Sequence, residues 1–121
     1  MTTTATTARN TLGNQLAAYR DNTTIGERRT IAALLAVALR KGYTVSVNDG
    51  EEWTVKHSTS SDEITAALAT TGEDVLRFRD KDKVLVGNAY LIYGNAADGS
   101  ELVYDHTDEP SMNTLISQAG A

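Results

Sequence analysis

Residues 83–93 read KVLVGNAYLIY, and the architecture turns on how this stretch is placed. Successive side chains of a strand point to opposite sides. Val84, Val86, Tyr90 and Ile92 therefore share one face, and Leu85, Ala89, Leu91 and Tyr93 share the other. A strand apolar on both faces is expected inside a sheet with cover above and below, because edge or half-exposed strands alternate apolar with polar. Gly87-Asn88 within it marks a bulge or bend.

The flanking segments supply neighbours. Upstream, residues 74–79 alternate, with Leu76 and Phe78 on one face and Val75, Arg77 and Arg79 on the other. Asp80-Lys81-Asp82 turns the chain into the long strand. Downstream, residues 94–100 carry turn residues, and residues 101–105 form a last strand with Leu102 and Tyr104 against Val103. Three strands joined by short turns make an antiparallel meander. Residues 43–57 read as a hairpin in which Tyr43, Val45 and Val47 share one face of the first strand and Trp53 and Val55 share one face of the second. A three-residue loop, Asn48-Asp49-Gly50, pairs Val45 with Trp53 and Tyr43 with Val55, and it puts Gly50 at a left-handed position.

Helices provide the cover. Ala8, Leu12, Leu16 and Tyr19 recur at helical spacing, weakened by Gly13. Thr24-Ile25-Gly26-Glu27 fits a capping box, followed by the stripe Ile31, Leu34, Leu35, Ala38 and Leu39. Ala32, Ala33, Ala36 and Val37 widen that stripe, leaving little of the helix for water. Gly42 closes it. Ser60-Ser61-Asp62-Glu63 is a second capping box, ahead of Ile64, Ala67 and Leu68. Asp108-Glu109-Pro110 opens a final helix with Met112, Leu115, Ile116 and Ala119 inward. The order is α-α-β-β-α-β-β-β-α. It predicts an α+β domain: a five-stranded, mostly antiparallel sheet, hairpin plus meander, with helices packed mainly on one face. The Thr-rich residues 1–7 read as a disordered arm ahead of a single domain over 8–121.

The 121 residues are enough for a core without metal or disulfide staples, and cysteine is absent. No apolar run approaches a membrane span of about 20 residues. The start of the chain lacks a signal-peptide pattern, so a soluble cytoplasmic protein is expected. The net charge of −5 is uneven: residues 1–41 hold six Lys/Arg against two Asp/Glu, and residues 42–121 hold five against fourteen. The sheet-forming part is thus the acidic one. That argues against general phosphate-backbone binding and fits a protein partner with a basic surface.

No constellation carries a recognised chemistry. Asp105, His106, Asp108 and Glu109 are the densest group of reactive side chains. His57, His106 and Asp105 together make the alternative reading, a small metal- or ligand-binding domain or enzyme. Their spacing matches no established signature, and in a strand Asp105 and His106 diverge. A loop capping the last helix accounts for Asp108 and Glu109. His57, following Val55, reads as a partly buried structural histidine. Residues 48–52 form a turn rather than a calcium loop, and residues 94–99 are not a phosphate loop. Arg77, Arg79, Lys81 and Lys83 interleave with Asp80 and Asp82 as a salt-bridged hairpin tip. No metal, cofactor or catalytic residue is expected. Trp53, Tyr43, Tyr90, Tyr93 and Tyr104 all come from strands, and a sheet face that helices leave bare would expose aromatics as binding anchors.

The segment LIYGN at residues 91–95, followed by VYDHTD at residues 103–108, resembles a pattern of small proteins encoded by phages, prophages and plasmids of proteobacteria. The resemblance reaches back to the hairpin. It implies no activity, only a setting among accessory genes, many of whose products bind and inhibit host machinery. The expected function is a small, acidic, non-enzymatic protein-interaction module, a stoichiometric inhibitor of a host defence or nucleic-acid-processing complex. Glu51, Glu52, Trp53, Tyr93, Asp105, His106 and Asp108 are its candidate partner-binding residues.

Overall fold

Thr24 and Glu27 start the first helix by satisfying each other's backbone. The Thr24 hydroxyl accepts the Glu27 amide at 3.0 Å, and Glu27 Oε1 accepts the Thr24 amide at 2.9 Å. In the computed structural model, which describes residues 23–121, this is helix α1 (Ile25–Arg40). The arm over residues 1–7 and the helix expected over residues 8–19 lie outside the described residues. The remaining order is β1 (Thr44–Asn48), β2 (Trp53–Ser58), α2 (Ser61–Ala66), β3 (Glu73–Arg79), β4 (Leu85–Ile92), β5 (Val103–His106) and α3 (Pro110–Ala119). The described fold is therefore one α+β domain, α-β-β-α-β-β-β-α.

The strands form a single five-stranded sheet in the order β2-β1-β3-β4-β5, every neighbour antiparallel. Helix α2 carries the chain from β2 at one edge past β1 to β3 at the centre. One apolar core joins the helices to one face of the sheet. Ile31, Leu34 and Leu35 of α1, Ile64 of α2, and Met112 and Leu115 of α3 meet Val45, Val47, Leu76, Phe78, Ala89 and Leu91 of the strands. Burying each large aliphatic side chain stabilises the fold by about 1.5–3 kcal/mol, so this layer dominates.

Strand β4 is interior, flanked by β3 and β5, and the described helices pack on one of its faces. Gly87, Ala89 and Leu91 are buried toward the helices, whereas Val86, Asn88, Tyr90 and Ile92 are only half-buried. The strand starts at Leu85, and Val84 and Leu85 are exposed. The second apolar face is shielded by its own cross-strand neighbours, Val75 opposite Tyr90 and Arg77 opposite Asn88.

Four local expectations are corrected. The β1–β2 register pairs Val47 with Val55 and Asn48 with Trp53, with two irregularities, so the loop is Asp49–Glu52 and not three residues. Its closure comes from Asp49, whose carboxylate accepts the Glu51 and Glu52 amides. Ser60 caps α2 by accepting the Glu63 amide at 3.2 Å, but the reciprocal half of the box is missing because the Ser60 amide goes to Ser58 Oγ. Ala32 and Ala36 of α1 are exposed. Leu102 precedes β5 and is buried in the core, while Tyr104 is 51% exposed on the other side.

Candidate protein-interaction surface

The period of two that sends Val45, Leu76 and Ala89 into the core sends Ser46, Arg77 and Asn88 out of the opposite face. Those three residues are aligned across β1, β3 and β4. No described helix covers them. Arg77 organises this open face. Its guanidinium carbon lies 4.5 Å from the centroid of the Trp53 ring, a cation–π stack, and its Nε donates to Asn88 Oδ1 at 3.0 Å. Tyr90, next on the same side of β4, packs against Tyr104 with ring centroids 6.2 Å apart and planes tilted by 58°. Trp53, Arg77, Asn88, Tyr90 and Tyr104 thus make one polar–aromatic band from the β2 edge to the β5 edge.

The bulge between Val47 and Asn48 explains how Trp53 joins this band while Val55, two residues on, packs against the core. Sequence alternation alone puts them on one face. His57 is exposed, not partly buried. It adopts φ 53°, and its amide donates to Ser46 Oγ at 2.9 Å. The expected ion pairs at the β3–β4 turn are absent among the described residues. Asp80 Oδ1 accepts the Asp82 and Val84 amides, and Arg79 donates to the Lys83 carbonyl. The Asp80 carboxylate is thus used by backbone, and neither arginine is paired with a carboxylate among the described residues.

The candidate residues do not form one patch. Glu51 and Glu52 are exposed in the β1–β2 loop, beside Trp53. Near this end of the sheet, Glu73 opens β3 and is also exposed, giving an acidic rim. Backbone hydrogen bonds from Glu52 and then Glu51 hold the Asp49 carboxyl below the usual range. Asp105 pairs with Tyr90 on the opposite side of the face, and Asp108 accepts from the Asn113 amide at the start of α3. His106 is half-buried, with Nδ1 3.1 Å from the Thr107 carbonyl.

Tyr93 is not available to a partner. Its hydroxyl donates to Asp74 Oδ2 at 2.6 Å, and the same oxygen accepts the Ala69 amide at 2.8 Å. Asp74 is 1% exposed, and its Oδ1 has no partner. Burial pushes the Asp74 carboxyl above its usual range against the opposing pull of the Tyr93 hydrogen bond. Burial, then the charge of Asp74, pushes the Tyr93 phenol far above its own, so it remains a donor.

The alternative metal or acid–base site is not assembled. His57 lies in β2 at one edge and His106 ends β5 at the other, four strand spacings apart, which is roughly 19 Å. Among the described residues no three His, Asp or Glu side chains are grouped to hold a metal ion. Also among them, no helix is long and apolar enough to cross a membrane. The chain gives no significant match to any protein-family model, curated protein or solved structure.

Proposed function

We propose that the chain is a non-enzymatic interaction module that binds a protein partner stoichiometrically through the sheet face that no described helix covers. The observation that carries this reading is the band of Trp53 stacked on Arg77 and Tyr90 against Tyr104, on the face opposite the described helices. Trp, Tyr and Arg are the residues most enriched at interface hot spots, and here their orientation is set before any partner arrives. Exposed Val84 and Leu85 extend the apolar contact at one end.

Area and charge define the partner. Five strands and about 20 Å of strand length give a projected face of roughly 400 Å², half of the ~800 Å² that each side of a standard interface buries. The loops must therefore join the contact, and Glu51, Glu52, Glu73 and Asp105 frame the face with negative charge. A partner with a basic rim around an apolar centre is complementary. The likeness to accessory proteins of phages and plasmids supports placing that partner in host defence or nucleic-acid processing, where occupancy alone inhibits.

The test is affinity capture from cells of the source with wild-type chain, Trp53→Ala, Tyr104→Ala and Glu51→Lys/Glu52→Lys. A partner with a basic surface retained by the wild type should be lost from the aromatic variants, a truncation of about 2 kcal/mol being roughly 30-fold in affinity. Charge reversal should weaken capture most at low salt. Capture of the same protein by all four chains rules this face out.

A further inference from the structure

Behind the Trp53–Arg77 stack lies a hollow of about 140 Å³ lined by Ser46, Trp53, Lys56, His57, Arg77 and Arg79. Every chemistry-bearing group around it is a donor, a potential cation or an aromatic ring. None of Lys56, His57, Arg77 and Arg79 is joined to a carboxylate among the described residues. In a chain of net charge −5 with sixteen Asp and Glu, such a pocket does not arise from bulk composition. The turn geometry that diverts Asp80 to backbone amides keeps it uncancelled.

The two guanidinium groups are also held in place. Arg77 is fixed by the Trp53 ring on one side and by Asn88 through Nε, which leaves its terminal nitrogens free to donate. Arg79 is tied to the Lys83 carbonyl by one terminal nitrogen at 3.1 Å, which leaves the other. His57 is anchored by its backbone to Ser46, itself 6% exposed at the base of the hollow. Two guanidinium groups and an ammonium lining one small space match a tetrahedral dianion, because planar N–H pairs bond two oxygens at once.

We propose that this hollow is a binding site for a single phosphate monoester. The acidic residues of the adjoining loop exclude a polyanion: a nucleic-acid strand laid along the face would meet Glu51, Glu52 and Glu73. One phosphate group meets only the cations. This goes beyond the partner-binding reading and does not depend on it, since the isolated chain should take the ligand with no protein docked.

Trp53 is the chain's one tryptophan, so its indole N–H is an unambiguous reporter at the site. The experiment titrates full-length ¹⁵N-labelled protein with inorganic phosphate and follows the Trp53 indole and Arg77 Nε–H signals. Saturable shifts with a dissociation constant on the order of 1 mM are expected, from two or three charge-assisted hydrogen bonds. Arg77→Gln and Arg79→Gln should each raise it about tenfold, and Lys56→Gln about threefold. Lys56 is exposed and Arg79 makes only one surface hydrogen bond, so those two variants decide the matter if Arg77→Gln fails to fold. Parallel titrations with free phosphoserine and uridine 5′-monophosphate separate the sources: tighter binding of either identifies the natural bearer, and equal binding assigns recognition to the phosphate alone. Shifts that never saturate, or that persist unchanged in Arg79→Gln and Lys56→Gln, overturn the site.

Discussion

Replacing Tyr93 by Phe removes one hydroxyl from the interior and nothing else. That hydroxyl is one of two donors to the Asp74 carboxylate, both on Oδ2, and Oδ1 has none. A hydrogen bond to a charged group contributes about 1.5–3 kcal/mol, and a neutral one about 1 kcal/mol. Asp74 is 1% exposed, so water cannot replace the lost donor. Tyr93→Phe should therefore cost about 2 kcal/mol at pH 7, or a fall of roughly 8 °C in Tm for a chain this size.

The pH dependence follows from the raised Asp74 pKa. The folded protein holds the proton more tightly than the unfolded chain, so stability is greatest below the unfolded value and falls as pH rises through the folded one. Losing Tyr93 removes a hydrogen bond that favours the ionised form, so the penalty grows over that window and shrinks to about 1 kcal/mol near pH 4. Urea unfolding of both proteins at pH 4 and pH 7, followed by Trp53 fluorescence, measures this. A cost below 0.5 kcal/mol at pH 7, or one equal at both pH values, would refute the buried-pair account (roughly the smallest hydrogen-bond contribution expected).

Other substitutions probe separate joints of the fold. Gly26→Ala drives a methyl group into the backbone of Ala97 and Asp98, which cannot swing aside, so chemical denaturation should show a loss of about 3 kcal/mol. Glu27→Gln keeps the shape of the capping box but weakens two buried charge-assisted bonds, to the Thr24 and Gly94 amides, and should cost about 2 kcal/mol in the same assay. Leu91→Ala, on the helix side of β4, should cost about 3 kcal/mol, whereas Leu85→Ala, 52% exposed, should stay within about 0.5 kcal/mol. Similar losses at both leucines would mean that the open face is covered after all.

The elements legible in the sequence are those decided by near neighbours. The Thr24–Glu27 box is a contact three residues long, and the alternation of β3 follows from the pleat, so both were readable. The second role of Glu27, accepting the Gly94 amide at 2.7 Å across the fold, was not. The hairpin register failed because it is not set by its loop alone: the Ser46 hydroxyl holds the His57 amide, and two irregularities shift the pairing between those anchors. The greasy second face of β4 points to cover on both sides, and among the described residues that cover comes from within the sheet, from Val75, Arg77 and Tyr104. Of the candidate residues, Trp53 lies on the open face and Tyr93 is held by Asp74, whereas Arg77, outside that set, stands uncancelled only because Asp80 bonds the backbone.

The central claim is that the sheet face opposite the described helices is the recognition surface. Hydroxyl-radical footprinting of the chain, free and in its captured complex, tests this most directly. The account predicts that Tyr104, Val84 and Leu85 are strongly modified in the free protein and protected in the complex, with Tyr93 weakly modified in both. Undiminished modification of Tyr104 and Leu85 in the complex would contradict it.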